Sequence, residues 1–124
     1  MRLDAFIDDM AQAYQWADLV LCRAGALTIA ELAAVGVASI LVPYPYAVDD
    51  HQTGNARYLV DAGAARLLPQ SEMSIERLRE ELVLLNQPGR LVDMAKSARD
   101  QAMPEAAMQV AEHCIQATGW KEAA

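Results

Sequence analysis

The chain has 124 residues, of which 54% are hydrophobic and only 6% aromatic, so alanine and aliphatic side chains must fill its core. One domain of this composition favours helices packed on a sheet over an all-β sandwich. The net charge is −7 and no cluster of basic residues occurs, which excludes a typical nucleic-acid-binding surface.

The cysteines and the N-terminal sequence bear on the cellular compartment. Cys22 and Cys114 lie in apolar segments without CxxC spacing, which is typical of free thiols in a reducing compartment. No basic stretch followed by an apolar one opens the chain, and no apolar run approaches the roughly 20 residues that span a bilayer. We therefore expect a cytoplasmic chain, which a partner segment can still bring to a membrane.

The first half of the chain alternates between strand and helix patterns, which is typical of an α/β fold with a parallel, Rossmann-like sheet. A short strand is predicted at 2–6, followed by a helix that Asp8 or Asp9 caps, with Met10, Ala13, Tyr14 and Ala17 on its apolar face. The later strands and the helices between them are predicted at 18–22, 27–35, 39–42, 51–61 and 65–68, the two helices ending at Gly36 and Gly63.

After Pro69 only helices are predicted, each with an apolar stripe that we interpret as core. Ser74 caps the first, and Pro88 and Pro104 open the others. The three stripes are Ile75, Leu78, Leu82 and Leu85; Leu91, Met94, Ala95 and Ala98; and Ala107, Val110, Ala111 and Cys114.

The predicted sheet is thin. Four strands are fewer than the five or six that are usual in a doubly wound sheet. We therefore expect the single domain at 1–124 to be truncated at its front, with strands and helices alternating over about 1–68 and helices alone over 69–124.

Three predicted turns, at 6–10, 23–28 and 43–55, hold the unusual polar residues of the first half and can reach the edge of the sheet where ligands bind. In the second turn, Gly25 is expected to adopt a backbone conformation closed to other residues and to let a ligand approach. The amides that open the following helix suit a phosphate group.

Thr28 and Glu31 lie three residues apart on one face of an otherwise apolar helix. A covered carboxylate there needs partners, and two ribose hydroxyls would supply them. The alternative is that Glu31 lies at the solvent edge of a buried helix.

The third turn ends in His51, Gln52 and Asn55, whose donors and acceptors suit sugar hydroxyls, or which simply cap a helix with polar surface residues. No nucleophile stands near His51 in the sequence, so the spacing gives it no partner as a general base. Asp49, Asp50 and His51 are consecutive and cannot all face one ion, so no metal site is expected. In the first turn, Phe6, Ile7 and Met10 form either an apolar wall for a nucleobase or part of the core.

At these residues the chain resembles the MurG family, the peptidoglycan N-acetylglucosamine transferases of glycosyltransferase family 28. The resemblance is in register from about Leu3 to Leu68 and looser through the final helices. It rests on the combination of segments, whereas Gly-Ala-Leu-Thr alone is not specific. The segments are Phe6-Ile-Asp-Asp-Met-Ala, Ala17-Asp18, Cys22-Arg-Ala-Gly-Ala-Leu-Thr-Ile-Ala-Glu31, Gly36, Pro43, His51-Gln-Thr-Gly-Asn-Ala56 and Ala62-Gly-Ala64.

The resemblance implies a GT-B enzyme whose C-terminal domain holds most of the UDP-N-acetylglucosamine donor. It implies that Phe6, Ile7 and Met10 line the uracil pocket, that Leu27 and Thr28 approach the diphosphate, and that Glu31 holds the ribose. It further implies that His51, Gln52 and Asn55 lie near the N-acetylglucosamine, and that Arg23 lies near the site without a defined role. No cofactor is implied.

The departures from the family pattern limit the chemistry expected of this chain. The acceptor domain, the first strands of the C-terminal domain and a Gly-Gly-Ser-Gln-Gly type loop are absent, and Ala24 stands where the family often has Ser. We therefore name no catalytic residue, and we expect no transfer by this chain alone.

The whole enzyme implied by the resemblance converts lipid I to lipid II. It is expected to be peripheral on the cytoplasmic face of the inner membrane and to meet its lipid-linked acceptor through the missing domain. Self-association of the chain over its exposed sheet edge is expected. The alternatives are another GT-B transferase that uses a UDP-sugar and a non-enzymatic α/β interaction fragment.

Overall fold

The computed structural model describes residues 1–46 and 50–102. Within them, helices and strands alternate and are followed by two further helices. The elements are α1 (Met10–Trp16), β1 (Leu19–Cys22), α2 (Ala26–Val35), β2 (Ala38–Leu41), α3 (His51–Asp61), β3 (Ala65–Leu67), α4 (Ile75–Leu85) and α5 (Arg90–Asp100), with a 3₁₀ turn at Gln70–Glu72. The helix predicted after Pro104 and the residues Asp49 and Cys114 lie outside the described residues.

The three strands form a parallel sheet in the order β1-β2-β3, which confirms the predicted α/β class. The central strand β2 is buried along its whole length, as expected for a strand with helices on both faces. Its side chains alternate, so that Leu41 packs with α2 and α3 on one face and Ile40 packs with Leu85 and Met94 on the other. The sheet is therefore the middle layer of the domain.

The strand predicted at 2–6 is wrong, because the structure has no regular element before α1. Leu3 and Phe6 are 84% and 80% exposed. A strand is stable only when a neighbouring strand pairs with its backbone groups. No described strand lies beside this segment, so its apolar residues alone do not make it extended sheet.

The predicted helix boundaries are confirmed where a local signal fixes them. The side chain of Asp9 accepts a hydrogen bond from the Gln12 amide at 3.0 Å, and that of Ser74 caps α4 in the same way. After α3, the Ala64 amide donates to the Leu59 carbonyl at 2.9 Å around Gly63, whose φ is +78°. This closure is the Schellman motif. The start predicted at Pro88 is shifted, since α5 begins at Arg90 after Gly89.

The leucine stripe predicted for α4 is only partly correct. Leu85 is buried, but Ile75 and Leu82 are 85% and 45% exposed, and the fully buried residue one turn earlier is Glu81. The buried face of α4 is thus rotated toward Glu81, because two arginines neutralise that carboxylate. Ile75 and Leu82 line an open apolar groove together with Leu19 of β1.

Arg99 of α5 contacts the end of α2. The Arg99 guanidinium donates to the Val35 carbonyl at the end of α2 at 3.3 Å. A Cβ at Gly36, which has φ +77°, would lie 3.1 Å from the Arg99 Cβ, so glycine also permits this close approach. None of the helices described is long and apolar enough to cross a membrane.

Candidate functional site

The site begins with the loops that follow β1 and β2. Both strands are parallel neighbours in one sheet, so the loops after Cys22 and after Leu41 leave the sheet at the same edge. This is the edge where ligands bind in open α/β sheets. The structure therefore brings the predicted second turn and the described part of the third together.

The helix α2 presents its N-terminus at this edge. Its first backbone hydrogen bond runs from the Ile29 amide to the Gly25 carbonyl at 3.0 Å, so the amides of Ala26 to Thr28 have no partner inside the helix. Leu27, in the first turn, is 73% exposed. Free amides at the positive end of a helix dipole form a binding site for an anion such as phosphate.

The prediction that Gly25 adopts a backbone conformation closed to other residues is wrong. Gly25 is the N-cap of α2 with φ −64° and ψ 150°, which is extended backbone that any residue adopts. This geometry arises because the residue before a helix commonly takes β-region angles. What glycine does provide is space, since a Cβ there would meet only the Thr28 hydroxyl, 3.8 Å away.

Glu31 is half-buried on α2, one turn after Thr28. It lies near the buried phenol of Tyr14 in α1, and burial together with the negative charge of Glu31 raises the pKa of that phenol. The carboxylate is therefore neither fully solvated nor enclosed, which leaves it able to accept hydrogen bonds from a ligand. Burial also raises the pKa of the neighbouring Cys22 thiol to about 11, so Cys22 is protonated at neutral pH and is a poor nucleophile.

The apolar residues of the first turn are not core. Phe6, Ile7 and Met10 are 80%, 43% and 38% exposed. Met10 and Tyr14 are four residues apart and share a face of α1, and Tyr14 lies near Glu31. Met10 thus lies on the side of α1 that faces Glu31, and the exposed Phe6 and Ile7 precede it in the chain. These three residues are the candidate apolar wall.

The residues of the third turn have different environments. His51 is exposed, whereas Gln52 and Asn55 are half-buried and hydrogen-bonded to the backbone of the two loops. The alternative of polar surface residues therefore does not describe Gln52 and Asn55. Both side chains bond to the backbone of Ala24, which lies 28 residues from Gln52 and 31 residues from Asn55 in the sequence. Local spacing therefore gave no sign of these hydrogen bonds.

Arg23 joins the loop after β1 to the loop after β2. Its guanidinium donates to the carbonyls of Val42 and Pro43, both at 3.4 Å, and lies 5.7 Å from the centre of the Tyr44 ring. The rings of Tyr44 and Tyr46 stand edge to face at 5.6 Å. Sequence reasoning missed this aromatic pair, although two tyrosines flanking Pro45 are an unusual feature in a chain poor in aromatics.

Within residues 1–46 and 50–102 no three histidine, cysteine, aspartate or glutamate side chains come together as a candidate metal site. What the site offers is an exposed apolar wall, free helix amides, a half-buried carboxylate and neutral amide groups. This set can bind a flat base, a phosphate and hydroxyl groups.

Comparison with known proteins shows the family of this chain. The family profile described as the glycosyltransferase family 28 C-terminal domain matches residues 1–110. The chain belongs to this family. The predicted resemblance is thereby confirmed at the level of the fold and the family.

Two curated relatives of this family-28 domain carry the same name, UDP-N-acetylglucosamine–N-acetylmuramyl-(pentapeptide) pyrophosphoryl-undecaprenol N-acetylglucosamine transferase. The protein of Chromohalobacter salexigens is 61% identical over 116 residues, covering 94% of this chain and 32% of its own length. That of Azoarcus sp. strain BH72 is 62% identical over 112 residues, covering 90% and 31%. The chain therefore spans about a third of the length of these relatives.

A solved structure supports the same assignment. The crystal structure of Acinetobacter baumannii MurG matches this family-28 domain with a TM-score of 0.81 and 50% sequence identity, over 86% of this chain and 31% of the other.

Proposed function

We propose that this chain is the donor-binding part of a transferase that moves N-acetylglucosamine from UDP-N-acetylglucosamine to undecaprenyl-diphospho-N-acetylmuramyl-pentapeptide. The observation that carries the proposal is the free N-terminus of α2 with the half-buried Glu31 one turn inside it. The names of the relatives, which are 61–62% identical, give the donor and the acceptor.

The donor's parts are assigned by matching the chemistry of each group. The flat face of uracil suits the exposed wall of Phe6, Ile7 and Met10. The diphosphate suits the amides around Leu27 and Thr28, where the helix dipole is positive. The two ribose hydroxyls suit the two oxygens of Glu31, because hydrogen bonds to a charged group are the stronger ones.

The remaining assignments concern the sugar and the acceptor. His51 is exposed beside Gln52 and Asn55, so these three residues are assigned to the surroundings of N-acetylglucosamine. The relatives' names specify a lipid acceptor, and we assign its binding, and the peripheral attachment to the cytoplasmic face of the inner membrane, to the rest of the longer protein. Transfer needs both substrates held in line, so the pure 124-residue chain should transfer no sugar.

Titration of the chain with UDP-N-acetylglucosamine tests the donor assignment. A ligand that binds only the folded state stabilises it, by about 2.7 kcal/mol at a hundred times its Kd, so the melting temperature should rise with donor concentration. The same titration with UDP-glucose and with UDP alone distinguishes this transferase from one that uses another UDP-sugar. The melting temperature should rise most with UDP-N-acetylglucosamine. No shift with any uridine nucleotide would favour the non-enzymatic interaction fragment.

The Glu31→Gln variant tests the ribose assignment. It keeps the shape and removes the charge, so donor affinity should fall about tenfold or more, the equivalent of one charged hydrogen bond. Glu80→Gln is the matched control, since Glu80 lies on α4 with its side chain 72% exposed. Equal donor affinity in Glu31→Gln and Glu80→Gln would mean that Glu31 does not hold the ribose.

Self-association of the chain is a separate proposal. Among the described strands, β1 pairs only with β2, and Leu21 on β1 is 49% exposed. An edge strand with apolar side chains is a template for another strand. We therefore propose that a second copy of the chain pairs with β1. Sedimentation velocity should show a fraction of dimer that increases with the concentration of the chain. A monomer at every concentration would contradict the proposal.

A further inference from the structure

Two side chains of α3 make a set of hydrogen bonds that fix the loop after β1. The Oε1 atom of Gln52 accepts from the Ala24 amide at 3.2 Å and from the Tyr44 amide at 2.8 Å. Because both partners are N–H donors, the oxygen end of the Gln52 amide must face them. Gln52 thus joins the loop after β1 to the loop after β2 through one atom.

Asn55 completes the set from the same face of α3. Its Nδ2 atom donates to the Ala24 carbonyl at 3.1 Å, and a carbonyl partner requires the nitrogen end of the amide. Both polar groups of the Ala24 backbone are therefore paired with α3, and the Ala24 side chain is fully buried. Ala24 directly precedes Gly25, the N-cap of α2.

We infer that Gln52 and Asn55 are positioning residues, which hold Ala24 and through it the N-terminus of α2 in the place where the diphosphate binds. The inference deepens the proposed donor site and rests on it. In this role, Oε1 of Gln52 and Nδ2 of Asn55 make the hydrogen bonds that hold the loops. A direct contact with the sugar would have to use the opposite atoms, Nε2 and Oδ1, because the first pair is already engaged.

Positioning of the loop and direct contact with the sugar predict opposite results for two substitutions, Gln52→Glu and Asn55→Asp. Gln52→Glu keeps an oxygen that accepts from both amides, whereas Asn55→Asp replaces the donor to the Ala24 carbonyl by a second acceptor. Positioning therefore requires that Gln52→Glu retains the loop geometry and that Asn55→Asp loses it. Direct sugar contact through Nε2 and Oδ1 predicts that Gln52→Glu loses sugar recognition and that Asn55→Asp keeps it.

Amide hydrogen exchange, followed by NMR on the chain without ligand, reports the geometry. The Ala24 and Tyr44 amides should be protected in the parent and in Gln52→Glu, and should exchange at least tenfold faster in Gln52→Met, which lacks the oxygen. Asn55→Asp should raise exchange at Ala24. Unchanged exchange at both amides in Gln52→Met would overturn the inference, and amides far from the loops, such as that of Leu85, show whether each variant is folded.

Binding of UDP and of UDP-N-acetylglucosamine separates positioning from sugar contact. UDP lacks the sugar, so Asn55→Asp should weaken both ligands by the same factor, about fivefold to tenfold, if Asn55 positions the diphosphate site. A loss confined to UDP-N-acetylglucosamine would overturn the inference. If the folded parent bound neither ligand, the proposed function would fail, and the exchange rates alone would still decide whether these residues hold the loop.

Discussion

Arg66 of β3 and Glu81 of α4 form a bidentate ion pair. The Nε atom of Arg66 donates to Oε2 of Glu81 at 2.7 Å, and Nη2 donates to Oε1 at 3.1 Å. Arg77, one turn earlier on α4, also donates to Glu81. The Glu81 side chain is 1% exposed, so the pair fastens α4 to the edge strand of the sheet from inside the domain.

Removing Arg66 should destabilise the chain because it leaves the buried Glu81 carboxylate with one partner. We expect Arg66→Met to lower the free energy of unfolding by about 2–3 kcal/mol, near the lower end for a broken buried pair since Arg77 remains. Urea denaturation measures it. The control is Arg2→Met, because the pair of Arg2 with Asp4 is exposed and should contribute less than about 1 kcal/mol.

The double variant Arg66→Met/Glu81→Leu distinguishes charge from packing. It removes the buried carboxylate and leaves Arg77, which is about one-third exposed and can reach water. A buried ion pair replaced by apolar residues is often neutral in stability, so the double variant should lose less than Arg66→Met alone. A double variant that loses more would show that the fit of the side chains, and not their charge, fixes α4.

Glu81 should also make stability depend on pH in acid. The hydrogen bond from Arg66 lowers the pKa of Glu81 below its usual value. A carboxyl whose folded pKa is lowered contributes stability above its unfolded pKa, and the contribution is lost as pH falls through the folded value. The free energy of unfolding should therefore fall below about pH 4.5, more steeply in the parent than in Glu81→Gln. Parallel curves for the two chains between pH 2 and 6 would contradict this.

Local signals in the sequence were enough for most of the fold. Asp9 and Ser74 cap helices through their own side chains, and Gly36 and Gly63 end helices with positive φ, so residues close in sequence decided those boundaries. The strand predicted at 2–6 was wrong because extended structure needs a partner strand that the local pattern does not contain.

The long-range contacts could not be predicted in the same way. A glutamate within a leucine-rich helix looks exposed until the position of Arg66 is known, 15 residues earlier and on another element. The hydrogen bonds from Gln52 and Asn55 to Ala24 span 28 and 31 residues. The sequence motif suggested the candidate site residues, whereas these backbone partners depend on how the loops meet in space.

The rotated face of α4 predicts which leucine stabilises the core. Leu85 is 2% exposed and Leu82 is 45% exposed. Leu85→Ala should therefore cost about 2–4 kcal/mol through lost burial and a cavity, whereas Leu82→Ala should cost less than about 1 kcal/mol. Thermal and urea unfolding of the two variants measure the difference. Equal losses would place Leu82 in the core, as its spacing with Leu78 and Leu85 first indicated.

The phenol of Tyr14 provides a test of the surroundings of Glu31 that needs no ligand. Burial raises the pKa of Tyr14, and the negative charge of Glu31 raises it further. Glu31→Gln removes the charge and keeps the burial, so the pKa of Tyr14 should fall but stay above its usual value. Glu80→Gln, on the exposed side of α4, should leave it unchanged. Carbon-13 NMR of the labelled tyrosine ring, with the Tyr14 signal assigned by Tyr14→Phe, measures the titration.

The same titration has a consequence for stability in alkali. A group whose folded pKa is raised contributes stability below its unfolded pKa of about 10, and that contribution is lost as pH rises through the folded value. The parent should therefore lose stability above pH 10 more steeply than Glu31→Gln does. If both chains lose stability equally and the Tyr14 pKa does not move, Glu31 points away from Tyr14. The carboxylate would then face solvent, and its assignment to the ribose would lose its structural support.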